Sequence, residues 1–177
     1  DIPPGASTIT MQLARNISLS LEQTFSRKLK EMLLAVKLER ELTKDEILEL
    51  YLNVIPFGKR AYGIAAAAEV YYGKTPHELT LAQMAMLAGV PQRPTAGNPV
   101  NGPRWALRRR GTILENMLAA GTIDQAAYDA AVATPITARV HRLEPEVDAP
   151  HAAEEVREAL YSRFGTELYT GGFAVTT

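Results

Sequence analysis

Between Gly5 and Asn16 the chain reads GASTITMQLARN: three hydroxyls (Ser7, Thr8, Thr10), two side-chain amides (Gln12, Asn16), one cation (Arg15) and no acid. Two roles fit that composition. Ser7 or Thr8 caps a helix and the other polar groups are solvated, or the free N–H groups of a helix start join the hydroxyls and amides to cradle an anion, with Arg15 adding charge. Further on, RKLKEMLLAVKLER places Arg27, Glu31, Leu34 and Leu38 on one helical face and Phe25, Leu29, Met32 and Val36 opposite. From Met32 onward the helix is apolar on both sides, so burial on both sides is expected, with the Glu31 carboxylate at the edge of that stretch. A surface i,i+4 pair between Arg27 and Glu31 would be worth only about 0.2–0.5 kcal/mol. A carboxylate held beside Arg27 and Lys28 could instead orient those cations or move a proton.

Other polar groups carry less. Glu49, Tyr51 and Asn53 fit ordinary helix-end positions, Lys59 and Arg60 fit a solvated turn, and Gly63 fits close packing in an alanine-rich helix. His77, His141 and His151 are too far apart for ligand spacing, so the sequence holds no dedicated metal site.

The elements that must position these groups are mainly helical. Ser20 and Gln23 make a capping box for a helix running to Glu41; Thr43 with Glu46 and Thr80 with Gln83 make two more. Pro56 and Gly58 break the second of these helices, and Gly73 ends an alanine-rich third. VPQRPTAGNPVNGP is a loop, RWALRRRGTILENMLAAG a helix ended by Gly121, and Asp124 starts another. PITARVHRLEPEVDAP is expected to be an extended linker, PHAAEEVREALYSRFG a helix, and GGFAVTT a strand that begins a further domain.

Composition sets the outer limits. The chain has 177 residues, 46% of them apolar, enough for one domain or one domain and the start of another. A net charge of −1 leaves no global basic footprint for nucleic acid, so any anionic ligand must be met by a local cluster. There is no cysteine for disulfides or thiolate metal sites. No apolar run is long enough to span a bilayer. The start at DIPPG, without Met or a basic leader, suggests a piece of a longer protein.

In this order, the segments resemble the glycosyltransferase family 51 domain of bifunctional class A penicillin-binding proteins. That family's second motif, Gly-x-Ser-Thr-Ile-Thr-x-Gln-Leu-x-(Lys/Arg)-Asn, is matched by Gly5 to Asn16. Its third, Arg-Lys-x-x-Glu followed by an apolar run and Leu-Glu, is matched by Arg27, Lys28, Glu31, Leu38 and Glu39. Its fourth resembles Lys44 with Glu46–Glu49 and Tyr51–Asn53, with one extra residue before Ile47. Its fifth is matched by Arg60, Gly63, Ile64, Ala67 and Ala68. The likeness runs to about residue 135. Met11 stands where many members carry a second glutamine. The first motif, Glu-Asp-x-x-Phe-x-x-His-x-Gly, whose glutamate is the residue usually assigned as general base, has no match, so these residues alone are expected to form an incomplete enzyme.

The resemblance implies a mainly α, lysozyme-like glycosyltransferase domain over residues 1–138. A linker and the beginning of a mixed α/β penicillin-binding transpeptidase region would follow over 139–177. It implies polymerisation of lipid II into peptidoglycan strands with release of undecaprenyl pyrophosphate. Glu31 would be catalytic, and Ser7, Thr8, Gln12, Arg15, Asn16, Arg27 and Lys28 would bind substrate. The implied partners are lipid II, the nascent glycan and other cell-wall synthesis proteins, with an N-terminal anchor in the bacterial inner membrane and the domain facing the periplasm. A divalent cation, magnesium or manganese, at the pyrophosphate also belongs to what the family implies. A lytic muramidase of related fold is the rival enzyme. It would need a carboxylate beside a sugar groove but not the cations of Arg15, Arg27 and Lys28. A non-catalytic helical interaction domain is the third alternative.

Overall fold

The computed structural model describes residues 8–17, 25–141 and 150–166. The chain divides into two compact units, residues 1–142 and 143–177.

The first unit is built from helices and one short hairpin. Helix α1 (Ile9–Ile17) starts at Thr8, whose Oγ1 accepts a hydrogen bond from the Met11 amide at 3.2 Å. It buries Thr10, Leu13 and Ala14. Helix α2 (Phe25–Glu41) packs on α1 and, more narrowly, on α3 (Lys44–Val54), which also lies against α1. The capping box of α3 forms as its sequence predicts: the Thr43 amide donates to Glu46 Oε2 at 2.7 Å and the Glu46 amide to Thr43 Oγ1 at 3.3 Å. The box expected at Ser20 and Gln23 lies outside the described residues.

Two-sided burial of α2 does not hold. Glu31 and Ala35 are buried, with Leu38 partly so, whereas Leu29, Met32, Leu33 and Val36 are all exposed, Leu33 to 63%. Among the described elements α2 packs chiefly on α1 and α3, and that packing leaves Leu29, Met32, Leu33 and Val36 exposed.

The break at Pro56 and Gly58 is a hairpin. Strands β1 (Pro56–Gly58) and β2 (Ala61–Tyr62) pair antiparallel across Lys59 and Arg60, both in the left-handed region at φ 52° and 62°. Helix α4 (Ile64–Tyr72) follows from Gly63 and ends at Gly73, which is left-handed at φ 61° and donates to the Glu69 carbonyl. Gly63 has φ 82°, and a Cβ there would stand 2.6 Å from the Asn53 carbonyl oxygen, so only glycine lets α4 start this close to α3.

Helix α5 (Leu81–Gly89) has the predicted Thr80–Gln83 box. The loop that follows is organised by buried Asn98, which donates to the Pro94 and Thr95 carbonyls and accepts from the Val100 and Asn101 amides. Helix α6 (Pro103–Ala119) packs on α5, and α7 (Gln125–Ala133) on α6, with Asp124 capping α7 through the Ala127 amide at 2.8 Å. Buried Arg110 ties α6 to the end of α7 by donating to the Val132 and Thr134 carbonyls. The main core joins α1, α3, the hairpin, α4 and α5 through Leu13, Ile47, Tyr51, Phe57, Tyr71 and Leu87.

Residues 134–141 form no helix or strand, but the segment is not a plain linker. The Arg139 amide donates to the Tyr71 carbonyl at 3.0 Å and the His141 amide to the Val70 carbonyl at 2.8 Å. The first unit thus continues past residue 138. In the second unit, α8 (Pro150–Phe164) forms as predicted, with an exposed Arg157–Glu154 pair. The strand expected in GGFAVTT lies outside the described residues.

Candidate functional site

Helices α1 and α2 bring one acid and two cations together. Glu31, about two turns into α2, is 1% exposed. Its Oε1 lies 3.8 Å from Arg15 Nε on α1, and its Oε2 lies 3.7 Å from Lys28 Nζ on its own helix. Both distances exceed the roughly 2.7–2.9 Å of a tight charge-assisted hydrogen bond, so the carboxylate steers the cations rather than clamping them. The cations face outward: their side chains are 54% (Arg15) and 35% (Lys28) exposed. A buried acid thus stands behind two cations that solvent, or an anion, can reach.

The surface i,i+4 pair does not describe this glutamate, because it is not on the surface. Its described partners are Lys28, three residues before it, and Arg15, sixteen residues before it and on another helix. The Arg27 side chain lies outside the described residues, as does Ser7.

The remaining predicted residues share one face of α1. The spacing of Thr8, Gln12, Arg15 and Asn16 puts them within about a third of a turn. Thr8 is exposed and caps the helix. Its hydroxyl proton is not used in that bond, so capping and ligand contact are compatible. Asn16 Nδ2 donates to the Gln12 carbonyl at 2.9 Å. Gln12 Oε1 accepts from the Tyr51 hydroxyl on α3 at 3.1 Å. Beside this face runs a cleft of about 220 Å³ between α1 and α2, lined by Thr8, Met11, Met32, Ala35, Val36 and Glu39. This part of the molecule thus combines neutral hydrogen-bonding groups, two outward cations and an apolar-walled cleft.

Tyr51 is the residue whose place in this arrangement spacing could not supply. As a helix-end polar group it was expected to be ordinary; its contact with Gln12 spans 39 residues of chain. Burial pushes the Tyr51 phenol above its usual value of 10, so at neutral pH it is a donor.

A divalent cation finds little support in the donor set. Among the described residues no group of three or more His, Asp or Glu side chains could hold one, and both oxygens of Glu31 face positive charge.

The chain is similar to penicillin-binding protein 1A of Pseudomonas aeruginosa, at 54% identity over 99% of this chain and 21% of the relative. It is similar to penicillin-binding protein 1A of Escherichia coli at 49% identity, over 98% of this chain and 20% of the relative. A crystal structure of penicillin-binding protein 1A from Haemophilus influenzae superposes with a TM-score of 0.55 at 33% identity, covering 90% of this chain and 20% of that one. The mainly α fold is therefore shared with a solved structure, and the chain spans about a fifth of the length of the relatives it matches. The family model described as "Transglycosylase" matches residues 1–118, a span that holds every one of the site helices α1 to α3, and the chain belongs to that family.

Proposed function

We propose that this domain, in its complete protein, is a peptidoglycan glycosyltransferase that polymerises lipid II into glycan strands. The observation that carries the proposal is the buried Glu31 behind Arg15 and Lys28, within a domain of the transglycosylase family. In the implied reaction, the 4-hydroxyl of an incoming lipid II sugar attacks the anomeric carbon of the growing strand with inversion and gives up its proton to a general base, the part that the family's first motif would supply. The bond to undecaprenyl pyrophosphate breaks and its electron pair leaves on the pyrophosphate oxygen. Negative charge therefore accumulates on the leaving group. Fixed cations aimed there stabilise the transition state more than the ground state.

Arg15 and Lys28 supply those cations. Glu31 is closed to solvent by the packing around it and reaches the substrate only through them, so its role is to hold the two cations in place. Thr8, Gln12 and Asn16 orient sugar hydroxyls without bringing further charge into the cleft. Ser7 and Arg27 join the same set by their place in the motifs. The relatives' name describes them as penicillin-binding; by extension the complete protein here carries a penicillin-binding transpeptidase region as well. The lipid-linked substrate places the domain at the outer face of the bacterial cytoplasmic membrane, where other cell-wall synthesis proteins would meet it. Among the described residues no helix is long and apolar enough to cross a membrane.

The test is Glu31→Gln in the full-length protein, assayed with lipid II. The swap keeps size and hydrogen-bonding capacity and removes the charge. Polymerisation is expected to fall at least about 10²-fold, as for the loss of one preorganised electrostatic group, with a near-native melting temperature. A variant that melts much lower but keeps its specific activity would show Glu31 to be a structural ion-pair member. Cleavage of preformed glycan by the native protein, without polymer, would point to a muramidase.

A further inference from the structure

Tyr51 sits in the main core on α3 and is 8% exposed. It also lines a half-open groove of about 400 Å³ whose other walls, including Ile9, Leu52, Ile55 and Phe57, are apolar. A buried phenol needs a hydrogen-bond partner, and those apolar walls supply none. Its hydroxyl reaches the other way, across the α1–α3 contact, and donates to Gln12 Oε1 at 3.1 Å. Burial raises the Tyr51 pKa, which keeps the proton on the oxygen.

A carboxamide has two orientations that occupy nearly the same space and exchange its donor and acceptor ends. With the oxygen toward Tyr51, the phenol donates. With the NH₂ turned toward Tyr51, the phenol must accept, and its own proton is left pointing among apolar side chains. The hydroxyl therefore favours one orientation of Gln12, with the amide oxygen toward α3.

We propose that Tyr51 is a positioning residue of the glycosyltransferase site, fixing the Gln12 carboxamide in the orientation that binds the substrate sugar. The proposal rests on the reading of the α1 face as substrate-binding. Substrate would select the competent orientation when it binds. Loss of the selection should therefore weaken apparent affinity and leave turnover at saturation intact.

The experiment compares Tyr51→Phe, Gln12→Ala and the double variant in the full-length protein, with lipid II as substrate and thermal unfolding alongside. Phe keeps the ring in the core. The expected result for Tyr51→Phe is a KM raised about three- to tenfold, the size of one neutral hydrogen bond. Its kcat should stay within about twofold and its melting temperature near native. The double variant should be no worse than Gln12→Ala alone, because both substitutions remove the same contact. Three results would overturn the proposal: Gln12→Ala raises KM while Tyr51→Phe does nothing, the two effects add, or Tyr51→Phe lowers kcat and melting temperature together with KM unchanged. A silent Gln12→Ala would reject the substrate-binding reading at Gln12 and Tyr51's role with it.

Discussion

Arg15 shows what a single side chain contributes when its partner lies on another helix. It is more than half exposed, yet its Nε is held 3.8 Å from a carboxylate that is almost wholly buried. The Arg15 guanidinium therefore meets an incoming anion with part of its orientation already set, which lowers the ordering cost of binding. Arg15→Ala in the full-length protein is expected to weaken lipid II binding by about 10–150-fold, the range for a charge-assisted hydrogen bond. The loss should shrink as salt rises, since the cation is open to solvent. Titration of binding at low and high salt checks both; unchanged affinity with an intact fold would remove Arg15 from the site. In the sequence the identities of Arg15, Lys28 and Glu31 were readable as candidates, because their types and local order are unusual. The Arg15–Glu31 contact was not. It depends on how α1 crosses α2, which no i,i+3 or i,i+4 rule encodes. The same holds for Tyr51 and Gln12.

Helix starts were the most legible elements. The boxes at Thr43–Glu46 and Thr80–Gln83 and the cap at Asp124 formed where hydroxyl or carboxylate spacing placed them, since a cap is satisfied within four residues of chain. Asp124→Ala should cost about 1 kcal/mol in urea unfolding, as caps typically do. The box at Glu46 also carries a pH signature. Hydrogen bonds from the Thr43 amide and hydroxyl hold its carboxyl below its usual value of 4.5. A folded-state pKa below the unfolded one adds stability that is present above the unfolded value and lost as pH falls through the folded one. Glu46→Gln should therefore melt lower than the native protein near neutral pH, with the difference closing below about pH 4.5. Melting curves across that range decide it; a constant difference would mean that charge is not involved. Sequence was a poor guide to the hairpin and to the exposed side of α2. The hairpin is three plus two residues long and turns on Lys59 and Arg60, two residues that seldom adopt the left-handed conformation such a turn needs. The apolar run of α2 was visible, but hydrophobicity records a preference for cover and does not say whether a neighbour supplies it. Gly63→Ala, where α3 and α4 nearly touch, should destabilise by more than about 1 kcal/mol, because it combines a positive φ with a clash against backbone.

At the scale of the whole molecule, a net charge of −1 conceals a local cluster: Arg15 of α1 and Lys28 near the start of α2 meet at Glu31. Composition excluded a global anion binder and could not locate a local one. The motifs along the chain named candidates for one, and α1 and α2 bring three of them, Arg15, Lys28 and Glu31, together. Residues 139–141, in contrast, were read as a connection because they lack apolar periodicity, whereas their hold on the first unit comes from main-chain amides that any sequence possesses. Those two bonds, to the Tyr71 and Val70 carbonyls, make the segment a mechanical clamp. When the chain is pulled at residue 142, the load passes into the last turn of α4 before it reaches α7. Strain of that kind is delivered to α4, which bears on α3 and α5. Through α3, which packs on α1 and α2, a tug on the outgoing strap has a path of contacts to the helices that carry Arg15, Lys28 and Glu31.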